Sequence, residues 1–225
     1  MANPKISLQG VNKVFGQKAV LKGVSLDMPE GKTTVILGGS GSGKSVLLKC
    51  ILGLVTPDSG KIIVDGANTV SLREEPRHKL MKKFGMLFQS GALFDSLTVW
   101  ENVAFGLLEA KMPRAKARLI AVEKLRLVGL KPETADQMPS ELSGGMRKRA
   151  ALARAICLEP EIIFYDEPTT GLDPITSDVI NDLIIKLQKE LGVTSVVITH
   201  DMHTAFKVAD QVAMLYDERI IAAES

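Results

Sequence analysis

Val35-Ile36-Leu37-Gly38-Gly39-Ser40-Gly41-Ser42-Gly43-Lys44-Ser45 decides the fold of this 225-residue chain. Its first three residues are a continuous apolar run, the pattern of a central strand in a parallel sheet, and Thr33 to Leu37 is read as that strand. The remainder satisfies G-x-x-x-x-G-K-S, a phosphate-binding loop, and a helix is expected from Lys44 to Leu54, loosened by Gly53. The glycines let backbone N–H groups approach phosphate oxygens closely, and the helix adds its positive end. Lys44 is then expected to reach the β- and γ-phosphates, and the Ser45 hydroxyl to ligate Mg2+.

Upstream, Ile6 to Val11 and Ala19 to Met28 read as half-buried antiparallel strands around a turn at Gly16. Downstream, Pro57-Asp58-Ser59-Gly60 reads as a turn and Lys61 to Asp65 as a strand. Phe84 to Phe88 is a further strand, ending at Gln89. Strands resume at Glu161 to Tyr165, Ser195 to Thr199 and Val212 to Tyr216. A helix with Val179, Ile180, Leu183, Ile184, Leu187 and Leu191 on one side lies between them, followed by Gly192. Alternating strands and helices imply a mostly parallel sheet covered on both faces.

Residues 90 to about 145 change character. Thr98 to Leu108 and Pro113 to Val128 read as helices, the second with Pro113 in its first turn and Gly129 just past its end. Ala117, Ala121, Leu125 and Val128 fall at helical spacing and mark its buried face. The expected fold is therefore α/β: a P-loop core, an N-terminal antiparallel subdomain and an inserted helical subdomain. The core takes residues 1–89 and 159–225, the helical part about 90–158.

The chain carries 28 basic and 26 acidic side chains, a balance that argues against a nucleic-acid partner. Cys50 and Cys157 lie far apart inside expected helices and read as small buried hydrophobes in a reduced setting. No apolar run approaches the roughly 18 residues of a membrane span. The start, Met1-Ala2-Asn3-Pro4-Lys5, has no signal-peptide core. A cytoplasmic protein whose membrane contacts go through a partner is expected.

Ile162-Ile163-Phe164-Tyr165-Asp166-Glu167 is an apolar strand ending in two carboxylates. Adjacent buried carboxylates repel unless a cation sits beside them, so the pair fits a magnesium–nucleotide site. Asp166 is expected to complete the Mg2+ shell, and Glu167 to act as general base or to orient the attacking water. Gln89, at the seam with the helical lobe, is a neutral amide that can ligand Mg2+ or hold water and still swing away. His200 ends a strand where side chains of parallel sheets face ligands, and could donate to the γ-phosphate. His203 and His78 have no such placement, and His200 with His203 finds no further cluster to form a metal site. Phe15 is a candidate to stack on adenine. Val46 completes the nucleotide-binding set with Gly38, Gly39, Ser40, Gly41, Ser42, Gly43, Lys44 and Ser45.

Leu142-Ser143-Gly144-Gly145-Met146 is a second glycine turn opening a second helix, expected to run to about Leu158 with Met146, Ala150, Ala153 and Cys157 on one face. Its basic residues Arg147, Lys148, Arg149 and Arg154 read mostly as a solvated face. One nucleotide does not need two such turns from one chain. The loop at Lys44 already cradles the phosphates, so Ser143, Gly144 and Gly145 should serve a nucleotide held by another copy. A two-fold homodimer sandwiching ATP satisfies both sets twice.

The order of these motifs resembles the ATP-binding cassette family over essentially the whole chain. The resemblance makes Gly38 to Ser45 the Walker A loop, Gln89 the Q-loop glutamine and Leu142 to Met146 the signature motif. It makes Asp166 and Glu167 Walker B and the catalytic glutamate, Gly171-Leu172-Asp173 the D-loop, and His200 the switch histidine. Phe88 to Val99, Glu141 to Arg149 and Ala213 to Asp217 are similar to ATPase subunits of Mla-type phospholipid transporters, which work with MCE proteins. Met146, where many cassettes carry Gln, favours that subgroup. The resemblance implies an ATPase on the cytoplasmic side of the inner membrane, held there by permease subunits. Leu93, Phe94, Leu97, Val99 and Trp100, directly after Gln89, lie where that family docks a permease, although Trp100 could equally be core. Such ATPases usually continue past the last strand of the sheet, whereas this sequence stops at Ser225.

A chromosome-tethering or DNA-repair ATPase would separate the two glycine turns by long coiled coils. Here the span is short and shows no heptads. A module without chemistry would lack the base, yet Glu167 and His200 are both present. The alternative kept within transporters is another importer or a lipoprotein-release system.

Overall fold

The computed structural model describes residues 4–224; Met1–Asn3 and Ser225 lie outside them, including most of the stretch read for a signal peptide. Strands β1 (Ile6–Phe15) and β2 (Lys18–Met28) form the antiparallel hairpin, extending further toward Gly16 than expected. β3 (Thr33–Leu37) runs into the glycine loop and α1 (Lys44–Ile51) follows. β4 (Ser59–Val64) already includes Ser59 and Gly60, read above as turn, because the pairing with β1 continues to Asn12 opposite Ser59. Then come β5 (Ala67–Asn68), α2 (Glu74–Met81) and β6 (Phe84–Leu87). The sequence reading missed α2, a polar helix that buries only Leu80 and so has almost no apolar stripe.

The helical stretch comprises α3 (Val99–Val103), α4 (Phe105–Glu109), α5 (Arg114–Leu127) and α6 (Gly144–Ile156). The single helix expected over 98–108 is broken at Ala104, whose backbone leaves helical geometry (φ −84°, ψ 6°). Pro113 caps α5 from outside its first turn. β7 (Ile162–Asp166), α7 (Pro174–Leu191), β8 (Thr194–Thr199), α8 (Met202–Val208), β9 (Gln211–Tyr216) and β10 (Arg219–Glu224) complete the chain. On α7 the buried stripe is Ile180, Leu183, Ile184 and Leu187. Val179 lies off that stripe and Leu191 ends the helix, so both are exposed.

Two sheets result: β2-β1-β4-β5, antiparallel, and β10-β9-β3-β8-β7-β6, parallel except for the terminal β9–β10 hairpin. Period-two alternation divides the large sheet between two cores. Val35, Ile163, Tyr165 and Val197 face the helices α3, α5, α6 and α7. Ile36, Ile162, Phe164, Val196 and Ile198 face α1 and the antiparallel sheet. Both faces are buried, which is why these strands read as unbroken apolar runs. β3, β7 and β8 lie side by side, so Gly38, Asp166 and His200 leave the same edge of the sheet.

Candidate nucleotide site

Loop 38–43 closes on its own lysine. Lys44 is buried, and its Nζ donates to the carbonyls of Gly38 (2.7 Å) and Gly39 (2.9 Å). Gly43 precedes α1 at φ +102°, and a Cβ there would lie 2.6 Å from the Val20 carbonyl. A glycine is thus required by close approach of β2, before any phosphate is considered. The same hairpin carries Phe15, which is 49% exposed with the Lys13 ammonium 5.2 Å from its ring centroid. Ser45 is exposed in the first turn of α1, with Val46 half-buried beside it.

Glu167 lies one residue beyond β7 at φ +49°, a left-handed conformation uncommon for a side chain of this kind. This turns its carboxylate off the end of the strand and into a ring of donors. Oε2 lies 2.8 Å from His200 Nδ1 and accepts from Thr170 Oγ1 (3.1 Å) and Thr199 Oγ1 (3.4 Å). Oε1 is 3.6 Å from Lys44 Nζ. Lys44, Glu167 and His200, expected from separate motifs, therefore converge. The neighbouring Asp166 is different: its Oδ1 is buried with no hydrogen-bond partner. Burial, and then the adjacent Glu167 charge, push its carboxyl above the usual range. A buried acceptor in that state fits a hard cation with oxygen ligands. Gln89, itself exposed, shares with Asp166, Phe88, Ser90 and Thr170 a cleft of ≈ 470 Å³. Among the described residues no group of three His, Cys, Asp or Glu gathers to hold a metal, and His203 instead meets Asp178 at 3.2 Å.

The second glycine turn has its own set of contacts. Ser143 caps α6, its Oγ accepting from the Met146 N–H (3.3 Å). Gly145 packs against α7, where a Cβ would come within 2.5 Å of Thr176 Cγ2, and Gly144 faces Leu172. No hydrogen bond found among the described residues joins Ser143, Gly144 or Gly145 to residues 38–45.

The basic residues of α6 correct the sequence reading. Only Lys148 is buried outright, while Arg147 stays exposed and Arg149 and Arg154 are half-buried; yet each is tied to a carbonyl, Arg147 donating to Leu142 (2.6 Å) and Arg149 to Gly129 (2.9 Å). Arg154 donates to Gly91 (2.8 Å) and Ala92 (2.7 Å), and Lys148 is buried beneath them. A charged side chain can close a loop carbonyl left without a backbone donor, and helical periodicity gives no sign of it. The apolar stretch after Gln89 also divides. Val99 and Trp100 are core residues, with the Arg114 guanidinium 5.0 Å from the indole, whereas Phe94 is exposed and tilts against Phe105 at 4.8 Å. Cys50 and Cys157 are buried as expected, and burial pushes both thiols up to about 11. No helix among the described residues is long and apolar enough to cross a membrane.

Comparison with known proteins places this geometry. Residues 21–170 match the family model described as ABC transporter. The chain is 44% identical over 218 residues to the intermembrane phospholipid transport system ATP-binding protein MlaF of Escherichia coli, covering 96% of this chain and 81% of that one. It is 41% identical over 217 residues to the probable ribonucleotide transport ATP-binding protein mkl of Mycobacterium leprae, and spans 62% of that relative's length. The dimeric structure of a bacterial ABC transporter cassette superposes with a TM-score of 0.89 at 36% identity, covering 98% of both chains. The same cassette in a post-hydrolysis state bound to ADP and Pi gives 0.88 at 35% identity.

Proposed function

This chain belongs to the ABC transporter family, and from that premise we propose that it is the ATP-binding and ATP-hydrolysing subunit of a bacterial inner-membrane transporter of phospholipids. The convergence of Lys44, Glu167 and His200 beside the unpartnered Asp166 carries this reading. The phosphates lie on the backbone N–H groups of residues 39–45, with Lys44 turning from the Gly38 and Gly39 carbonyls to the β- and γ-oxygens. Val46 and Phe15 flank the nucleoside end. Ser45, Gln89 and Asp166 would be the oxygen donors for Mg2+, which when bound would neutralise phosphate charge. Glu167 takes a proton from the attacking water, and His200, now against its carboxylate, also faces the γ-phosphate.

Ser143, Gly144 and Gly145 complete the site of a second copy. The lack of any hydrogen bond among the described residues between this turn and residues 38–45, and the dimeric form of a closely superposable cassette, support that assignment. Residues 1–89 and 159–225 act as the nucleotide core, and 90–158 as the helical part that meets the permease. Phe94 and Phe105 provide the exposed apolar contact, with Leu93 half-buried against the core beside them, and Val99 and Trp100 drop out of it. The chain is thereby peripheral on the cytoplasmic face, and an MCE protein belongs to the same complex. The two named relatives differ in cargo. Phospholipid is preferred because identity and coverage are both higher for the phospholipid system.

The test is Glu167→Gln. ATP affinity stays unchanged, turnover falls by about 10² or more, and a dimer accumulates in ATP on sizing columns. Near-normal turnover by that variant removes Glu167 from the chemistry. Co-purification from membranes identifies the permease, and the lipid it carries tests the cargo.

A further inference from the structure

Among the cationic side chains of α6, one joins two parts of the nucleotide site. Lys148 is 5% exposed. Its Nζ donates to the Gln89 carbonyl and lies 3.4 Å from the Glu167 carbonyl. Further along the helix, Arg154 holds the Gly91 and Ala92 carbonyls. Gly91 lies against α6, where a Cβ would come 3.5 Å from Ala151 Cβ. Segment 89–92 is therefore fastened to the helix whose first turn is Ser143–Gly145.

An ammonium is unfavourable in such a place unless its donors are used, and a buried carbonyl deprived of its donor is equally unfavourable. A lysine with these partners consequently fixes where they stand. The Gln89 carbonyl belongs to the segment that follows β6, and the Glu167 carbonyl to the turn that follows β7. Lys148 reaches both from a third element, so displacement of α6 displaces the two together.

The geometry points to Lys148 as a positioning residue for ATP hydrolysis, setting Gln89 and Glu167 relative to each other and to the glycine turn at the head of its own helix. This rests on the roles proposed above for Gln89 and Glu167. Lys148 touches no substrate and acts through their main chain. Occupation of the Ser143–Gly145 turn by a nucleotide on the second copy is thereby conveyed, through one helix and one side chain, to the residues that handle water in the first copy's own site.

The experiment compares the wild-type chain with Lys148→Met, which keeps the volume and removes the donors, and Lys148→Arg, which keeps a buried cation. Steady-state ATPase, ATP affinity and backbone amide exchange over residues 89–92 are measured. Lys148→Met is expected to lower kcat about tenfold or more while KM for ATP stays within about twofold, with faster exchange in the segment. Lys148→Arg is expected to recover at least about half of kcat, which a purely space-filling role would not require. A Met variant with wild-type kcat and exchange overturns the proposal, as does an Arg variant no better than Met. If the wild type itself hydrolyses no ATP, the proposed function fails instead, and amide exchange then decides alone whether Lys148 holds the segment.

Discussion

The loop at Lys44 and the turn at Ser143 are built from the same materials, glycines before a helix, yet they are wired differently. At the first, Lys44 and Glu167 turn inward: Lys44 onto two loop carbonyls and Glu167, Glu167 onto His200 and two threonines. At the second, Ser143 does no more than cap its helix, and the cationic side chains behind it are spent on carbonyls of flanking loops. On the proposed reading, one is this chain's own share of a reaction centre, and the other is a donor surface, mounted on a stiffened lever, for the nucleotide of a second copy.

The largest effect expected from breaking this contrast is at Lys44. Lys44→Ala removes the buried cation that both closes the loop and would meet the phosphates, so ATP binding should vanish in a filter or fluorescence titration. Ser143→Arg should behave otherwise: ATP still binds, because the loop is untouched, while hydrolysis is lost. The substitution sacrifices a cap on an exposed residue, about 1 kcal/mol of stability, which a melting curve would register as a small shift.

Mixing the two inactive chains sharpens the comparison. A mixed dimer pairs the intact loop of the Ser143→Arg chain with the intact turn of the Lys44→Ala chain and regenerates one site of two. With random pairing, about a quarter of wild-type activity should return. If both glycine turns served a nucleotide within one chain, mixing would restore nothing, and the two-copy site would be wrong.

The same contrast explains how much of the molecule is legible in its sequence. The residues around Lys44 were legible because phosphate chemistry demands particular residues at fixed spacing after an apolar strand. The strands of the large sheet were legible because both faces are buried. The polar α2 was not, since it has no stripe, and neither was the β10 strand, with Ile221 and Ala222 on an exposed edge. The fate of Arg147, Lys148, Arg149 and Arg154 was hidden for a different reason. A basic residue whose donors end on a distant carbonyl has the same pattern as one in water, and only packing separates them. Trp100 was undecidable on the same ground until α5 and α6 closed over it.

The smallest effect separates the two regions by their chemistry of attachment. The antiparallel sheet is latched to the large one by Lys5, held between Asp65 and Glu161 at 2.7 Å each, with Lys83 on the same two carboxylates. Burial works against both acids, but hydrogen bonds and charge from Lys5 and Lys83 prevail and hold Asp65 and Glu161 below the usual range. Groups whose folded pKa is depressed contribute stability above their unfolded pKa and lose it as pH falls through the folded value. The Lys5 ammonium is shifted upward, so its share is lost only in strong alkali. The latch should therefore weaken below about pH 4. The ties of segment 89–92 to α6 run from Arg154 and Lys148 to neutral carbonyls, with no carboxylate to titrate as acceptor. Amide exchange followed from pH 6 to pH 3 should show β1 and β4 losing protection while residues 89–92 keep theirs. Equal loss in both places would mean that the lever is held by something other than those carbonyl contacts.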